Sequence, residues 1–439
     1  MPKIKLPPKA DQPRAEKILI IGAGGGREHA LGWKIAQSPR AGELFFARGN
    51  AGTEKIGTNL DIKETDTEKL LYFSKVEKID LVLVVSDDAL AADVVDEFRE
   101  AGFRTWGPSQ AAAKLEWSKA YAKEFMKKYG IPTARHETFT DFENADAYVK
   151  KEKYPLAVKA SGLAAGKGVT IAQNEEEAIS ALKKIFIDRI FGDSGNEVVI
   201  EEYLYGTEIS IHAFSDGMHW QMLPSSQDHK RIHDGNVGPN TGGMGVIAPL
   251  PFVEKKMMDR IEKEIIAPTI KGMAREGNPF VGLLYPGIML TKEGPKVFEF
   301  NTRFGDPETQ TYMRLLETDF LDIVDACIDG NLDKLEIEWK SGFACNIALA
   351  SGGYPGEYEK GKEISGIEEA EKHPDVVVFH AGTREEGEKL FTNGGRVLGV
   401  SAAGNNLKET LKKAYNAISK ISFEGMQYRK DIGKYAHDK

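Results

Sequence analysis

Three groups of residues in this chain have types and spacing suited to chemistry on a phosphorylated ligand. The first is Gly22-Ala-Gly-Gly-Gly26, followed by Arg27 and His29. A G-x-G-x-x-G dinucleotide turn starting at Gly22 would need glycine at 27, where Arg27 stands. What is left is a tight turn through Gly24 and Gly25 at the start of an expected helix. Free N–H groups and the helix dipole favour an anion there, although a plain packing turn would use the same glycines. The second group is Lys159-Ala-Ser-Gly-Leu-Ala-Ala-Gly-Lys-Gly168. It is not a Walker A loop, because Ser161 replaces the first glycine and Gly168 replaces the magnesium-binding Ser/Thr. Gly162, Gly166 and Gly168 would let a loop fold its N–H groups over polyphosphate, with Lys159 and Lys167 as counter-charges; a surface turn is the competing explanation. Downstream, Glu201-Glu-Tyr-Leu204 and Glu208 offer a hinge for adenine and an acid for ribose hydroxyls, or simply the end of a strand. The third group runs from Glu299 to Gln310. Glu299 and Asn301 lie two apart on an expected strand and so face one side. Such hard oxygen ligands suit Mg²⁺ held together with phosphates, and Arg303 on the same face could stabilise charge on a transferring phosphoryl group.

Between these groups lie Ser226-Gln-Asp-His-Lys-Arg231 and Gly238-Pro-Asn-Thr-Gly-Gly-Met-Gly245. A charged run beside a loop with four glycines suits a pocket for an anionic substrate. Asp228 and Lys230 join Arg303 as candidate catalytic residues, and His229, Arg231, Thr241 and Gly242 are candidate substrate contacts. No paired nucleophile and base accompanies His229.

The elements that must position these residues follow from pattern. Strands over Lys17–Ile21, Glu43–Ala47 and Asp80–Val85 each end at a polar or glycine-rich turn and alternate with helices over Arg27–Gln37 and Ala89–Ala101. That is an open parallel α/β sheet, whose ligands bind beyond the carboxyl ends of the strands. Asp87 sits at one such end, where it either contacts a ligand or caps the following helix. Gly107-Pro108 punctuates the chain, and a helix is expected over Ala111–Tyr129. Short strand–helix segments follow to Glu201, then a long helix near Glu254–Met273, then a last α/β unit with strands Phe343–Ala350, Val376–His380 and Arg396–Ala402 and helix Leu407–Lys420. The expected division is a leader over residues 1–16, an N-terminal α/β domain over 17–116, a central domain over 117–335 with a lid at about 131–202, and a C-terminal domain over 336–439.

Composition narrows the field. The chain has 439 residues, too many for one core, and 41% of them are hydrophobic, enough for several. Lys plus Arg number 58 against 67 Asp plus Glu, a net charge of −9 that argues against nucleic acid and membrane surfaces as partners. No apolar run approaches a membrane span, and the Pro- and Lys-rich start lacks a signal peptide's hydrophobic stretch. Cys327 and Cys345 have no neighbour at metal-ligand spacing, which points to a reducing cytoplasm.

These residues resemble a family. The order of Lys119, Lys159 with its glycine loop, Glu201–Glu208 and Glu299/Asn301 resembles the ATP-grasp fold, and within it the phosphoribosylamine–glycine ligases of purine biosynthesis. GGREHAL from Gly25, GNAGT from Gly49, GLAAGKGV from Gly162, SQDHKR from Ser226, GPNTGGMG from Gly238 and RFGDPETQ from Arg303 carry the likeness. GGYPG from Gly352, FHAGT from Phe379, TNGGRVL from Thr392 and RKDIG from Arg429 extend it over about Lys17 to Gly433. The resemblance implies an ATP-dependent ligase acting on glycine and 5-phosphoribosylamine, with Mg²⁺ or Mn²⁺, as a monomer or weak homodimer. It implies phosphate contacts from Lys119 and Lys159, adenine contacts from Glu201 and the backbone at Leu204, ribose contacts from Glu208, and metal ligation by Glu299 and Asn301. Phosphoribosylamine is expected near Gly24, Gly25, Arg27, Asn50, Thr53 and Asp87. Two departures fall there: an extra glycine in Gly22–Gly26, and Val85-Ser-Asp-Asp-Ala-Leu90 in place of G-P-E-A-P-L. The alternatives are a ligase joining glycine to another phosphorylated amine, an ATP binder without turnover, and a nicotinamide-dependent oxidoreductase.

Overall fold

The computed structural model describes residues 15–164 and 167–436. Most of the expected leader therefore lies outside the described residues, and Glu16 already opens the first strand. Five parallel strands make the first sheet, in the order Thr58–Leu60, Ala41–Ala47, Glu16–Ile21, Leu81–Val84, Arg104–Trp106. The central strand is buried from Ile18 to Ile21, as the near-continuous apolar run of a doubly covered parallel strand requires.

Two expected helices are broken, each for a local reason. The run Ala89–Ala101 is two helices, Asp87–Ala91 and Val94–Glu100, separated by Asp93 at φ 65°. Aspartate is among the few residues that tolerate this left-handed conformation. The run Ala111–Tyr129 divides into Gln110–Trp117 and Lys119–Tyr129 at Ser118, whose hydroxyl accepts the Tyr121 N–H. A serine that caps the next turn competes with continuation of the helix. The expected long helix is Lys255–Ile261, a π-helical turn Glu262–Ile266, and Ala267–Arg275. Pro268 has no N–H for the i→i−4 ladder, and the turn before it widens.

The segment from His136 to Glu202 forms an antiparallel sheet, His136–Phe139, Val198–Glu202, Leu156–Ala160, Val169–Ala172, with its own apolar core against helices Phe142–Val149 and Glu175–Phe186. A second antiparallel sheet is centred on Val281–Thr291, which pairs with Thr207–Ser210, Ala213–Asp216 and Gly294–Asn301. The last large sheet runs Gln227–Asp228, Gly245–Ala248, Phe343–Ala350, Arg396–Gly404, Val376–His380. Its first two strands come from the charged run and the glycine loop upstream, so the unit expected over 336–439 is not closed by its own strands. Among the described residues no helix is long and apolar enough to cross a membrane.

Candidate functional site

At one end of the site, lysines gather around a single carboxylate. The Ser118 break puts Lys119 at a helix start, and its Nζ donates to Gly162 O at 3.2 Å. Burial lowers the Lys119 pKa, and Lys159 adds to the effect while Glu299 opposes it. Glu201, 2% exposed, is ion-paired with Lys159 at 2.7 Å and with Lys123 at 2.8 Å. Burial works against the Glu201 charge, but the two lysines hold its pKa below the usual range. Burial also brings Lys123 down to about 8, and its ammonium donates to Thr133 Oγ1 at 2.7 Å. Lys159 also donates to Phe298 O at 3.0 Å, next to Glu299. Glycine at 162 is a steric requirement, since a Cβ there would stand 2.6 Å from the Ser194 backbone. Lys167 is exposed, Leu204 is half-buried, and Gly166 lies outside the described residues.

The other end inverts the ratio. Lys230 Nζ stands 3.1 Å from Asp228 Oδ2. Burial opposes its charge, yet Tyr285, Asp228, Glu308 and Glu208 hold its pKa well above the usual lysine range. Burial raises Glu208 to about 7, with Glu299, Asp228 and Glu308 adding to the shift and Lys230 opposing it. Asp228 is pushed up to about 6, first by burial and then by Glu308, again against Lys230. Beneath them Glu308 Oε1 accepts from Tyr285 Oη at 2.6 Å and Ser210 Oγ at 3.1 Å. His212 stacks on Tyr285 with ring centroids 3.9 Å apart, and its Nδ1 meets Tyr312 Oη at 2.9 Å.

Asn301 ends its strand, and its Oδ1 accepts from Arg303 Nη2 at 3.2 Å. Arg303 is held in turn by Glu116 Oε1 at 2.9 Å, while Glu116 Oε2 accepts both the Thr302 N–H and hydroxyl. The loop residues divide by role. His229 donates Nδ1–H to Gly245 O and accepts the Gly433 N–H at Nε2, so both ring nitrogens are used internally and the buried ring stays neutral. Arg231 donates to Gly238 O, Thr241 donates its hydroxyl to Lys230 O, and Gly242 is exposed.

The first-sheet turn lies directly against the third motif. Arg27 donates to Phe304 O at 2.9 Å and pairs with Glu28 at 2.9 Å, and its backbone N–H reaches Asp306 Oδ2 at 3.4 Å. Gly24 adopts φ +76° against Gly49 O, and a Cβ on Gly25 would lie 2.8 Å from Asp306 Oδ2. Asn50 is a clasp: Nδ2 donates to Gly24 O, Gly25 O and His380 O, and Oδ1 accepts from the Gly52 and Thr53 backbone. Thr53 donates its hydroxyl to Asn50 O at 2.8 Å. His29 Nδ1 accepts the His380 N–H at 2.8 Å. Asp87 is the first residue of its helix rather than the cap, which is Ser86. Burial opposes its charge, but Arg303 and Arg27 keep its pKa below the usual range.

Sequence reasoning missed Glu116, Lys123, Tyr285, Glu308 as a Lys230 partner, and Arg396. Only the last two lie in recognised strings. Glu116 and Lys123 read as ordinary helix charges, and nothing in a linear pattern marks them as buried.

A cluster of buried lysines between two antiparallel sheets, with a carboxylate–amide pair at a strand end, is the arrangement of an ATP-grasp protein. The phosphoribosylglycinamide synthetase family matches in three parts: the N domain over residues 16–116, the ATP-grasp (A) domain over 117–309 and the C domain over 344–435. The chain belongs to this family. The phosphoribosylamine–glycine ligase of Chlorobaculum tepidum is 46% identical over 424 residues, covering 96% of this chain and all of that protein. That of Vibrio parahaemolyticus is 48% identical over 420 residues, 95% of this chain and 97% of its own. The crystal structure of the Thermotoga maritima enzyme superposes with a TM-score of 0.83 at 38% identity, covering 94% of this chain and 99% of that one.

Proposed function

We propose that this chain, an ATP-dependent ligase, forms glycinamide ribonucleotide in two steps. The glycine carboxylate attacks the γ-phosphoryl of ATP, giving glycyl phosphate and ADP. The amine of 5-phosphoribosylamine then displaces phosphate and forms the amide. Neither step needs a protein nucleophile, which suits a site with positioning groups and, among the described residues, no nucleophile–base pair. The observation that carries the reading is the charge asymmetry: an excess of lysine at Lys119, Lys123 and Lys159, and an excess of carboxylate around Lys230.

In this reading Lys119 and Lys159 hold ATP phosphates under the Gly162–Gly168 loop, and residues 131–202 act as the lid. Glu201 orients Lys159 through its ion pair and lines the adenine side, the backbone at Leu204 meets the base, and Glu208 meets the ribose. Glu299 and Asn301 fit a divalent cation, Mg²⁺ or Mn²⁺: both supply hard oxygen, and the surrounding carboxylates outnumber Lys230. Such an ion, when bound, would neutralise negative charge on the nucleotide phosphates. Arg303, oriented by Glu116, faces the transferring group, and Lys230 with Asp228 receives glycine. The phosphoribosylamine side comprises Gly24, Gly25, Asp87 and the turn kept in shape by Arg27, Asn50 and Thr53, with Arg231, Thr241 and Gly242 on the facing loop. His229 supports that loop from beneath. The protein is taken to work in the cytoplasm as a monomer or weak homodimer, without nucleic acid or membrane.

ADP release measured with glycine, with and without phosphoribosylamine, tests the whole. Full turnover should need all three substrates. ADP release that rises with glycine but ignores phosphoribosylamine would favour another phosphorylated amine as acceptor.

A further inference from the structure

Arg396 opens the strand Arg396–Gly404, yet its guanidinium ends between two turns contributed by the ATP-grasp segment. Nη1 donates to Gly242 O at 2.7 Å and to Asp306 O at 2.6 Å, with Gly243 O at 3.4 Å; Nη2 stands 3.4 Å from Asp306 Oδ1. One guanidinium nitrogen, Nη1, therefore ties the glycine loop to the Gly305–Pro307 turn.

Each of those turns touches a different side of the site. A Cβ on Gly243 would lie 2.7 Å from both Asp228 oxygens and 2.5 Å from Pro307 Cδ, so the Gly243 backbone lies directly against the Asp228 carboxylate. Asp306 faces the opposite way: its Oδ2 accepts the Arg27 N–H, its Oδ1 accepts from Gln310 Nε2 at 2.8 Å, and Gly25 packs against it. The spacing between the Asp228–Lys230 pair and the Gly24–Arg27 turn thus passes through Asp306 and the residue that grips it.

We infer that Arg396 is a positioning residue for amide formation: its guanidinium holds the Gly242–Gly243 turn against Asp306 and so sets the gap across which the acceptor amine meets activated glycine. This rests on the placement of glycine and phosphoribosylamine given under Proposed function. The geometry needs arginine. Nη1 alone serves the Gly242 and Asp306 carbonyls, and the rigid guanidinium plane aims it between them while Nη2 faces the Asp306 carboxylate; a lysine ammonium has no second nitrogen or plane to fix that orientation. A misplacement of about 1 Å between reacting groups costs roughly 100-fold in rate.

The test compares wild type with Arg396→Lys and Arg396→Ala, measuring kcat, the KM of each substrate and the melting temperature. Arg396→Lys should lower kcat by about 10- to 100-fold and raise the phosphoribosylamine KM, with the ATP KM within about twofold and melting little changed. The Arg396 side chain is 20% exposed, so a small cation can enter the space its removal leaves. Added guanidinium at millimolar concentration should restore part of the activity of Arg396→Ala, and ammonium should not. Wild-type kinetics in Arg396→Lys would overturn the inference, as would a loss spread equally over the ATP KM and the melting temperature. Should Arg396→Ala fail to fold, the Arg396→Lys kinetics decide alone. A wild-type protein that makes no amide would instead sink the substrate assignment on which the inference stands.

Discussion

The two ends of the site use the same side chains in opposite proportion. At Glu201 one carboxylate is shared by Lys123 and Lys159, with Lys119 close by; at Lys230 one ammonium is surrounded by Glu208, Asp228 and Glu308, with Glu299 close by. The first end has spare positive charge, which in the proposed function meets phosphates. The second has carboxylates in excess, which in the proposed function meet a metal ion and the ammonium group of glycine. Desolvated charges in surplus are costly unless a ligand of opposite sign completes them. The sign of the surplus therefore supports the ligand proposed for each end.

The strongest test of this contrast removes a ligand from the acidic end. Glu299→Ala should lower turnover by about 1,000-fold and abolish its dependence on Mg²⁺ or Mn²⁺, while melting changes little. Near-normal turnover would remove the metal assignment and with it the meaning of the negative surplus. Next is the basic end, where Glu201→Ala leaves Lys123 and Lys159 buried without the carboxylate that pairs with both. Urea unfolding should show a loss of about 3–5 kcal/mol, which saturating ATP analogue should partly recover; a loss under 1 kcal/mol would mean that water already reaches the lysines.

A smaller effect sharpens the acidic end. Burial pushes the Glu208 carboxyl up to about 7, against an ordinary value of 4.5 in the unfolded chain. Between those values the folded protein keeps a proton that the unfolded chain has lost, so this group's stabilising effect declines as pH rises from 4.5 to 7. Glu208→Gln should be more stable than wild type above pH 7, by on the order of 2 kcal/mol, and equal to it near pH 4. Parallel stability curves at all pH values would show that the surrounding carboxylates do not act on Glu208. The smallest effect is at Asp87, beside Arg303 and Arg27. Asp87→Asn should raise the phosphoribosylamine KM about fivefold with the ATP KM unchanged. Lower melting with unaltered kinetics would make Asp87 structural.

The candidate site was legible in the sequence where its chemistry sits in contiguous strings. Lys159 with its glycine loop, and Glu299 with Asn301, are adjacent or two apart, and a strand's alternation puts the latter pair on one face without further information. The parallel first sheet was legible for the same reason, since each apolar run ends in its own turn. Residues brought together by tertiary packing were not. Glu116 and Arg303 are 187 positions apart, and Lys123 shares its helix with solvent-facing lysines of identical type. The break at Ser118 was missed because apolar periodicity continues through it, and only the hydroxyl's choice of the Tyr121 N–H ends one helix and begins the next. The loop contacts expected of Asn50, Thr53 and His229 concern polar side chains that the fold commits to neighbouring backbone, a use that residue type alone does not reveal.

The clasp of Asn50 and His29 on His380 has a mechanical consequence. Arg27 joins the first sheet to the turn at Phe304, Arg396 joins that turn to the last sheet, and His380 joins the last sheet back to the first. Three bodies linked pairwise form a triangle, which, like a braced frame, has no free angle. The four-stranded sheet of residues 136–202 stands outside that frame, bonded to the helix Lys119–Tyr129 and the strand Gly294–Asn301 through Ser161, Glu201 and Lys159. Whatever swing the molecule retains is thereby concentrated at a single joint, the one at which Lys119, Lys123 and Lys159 meet.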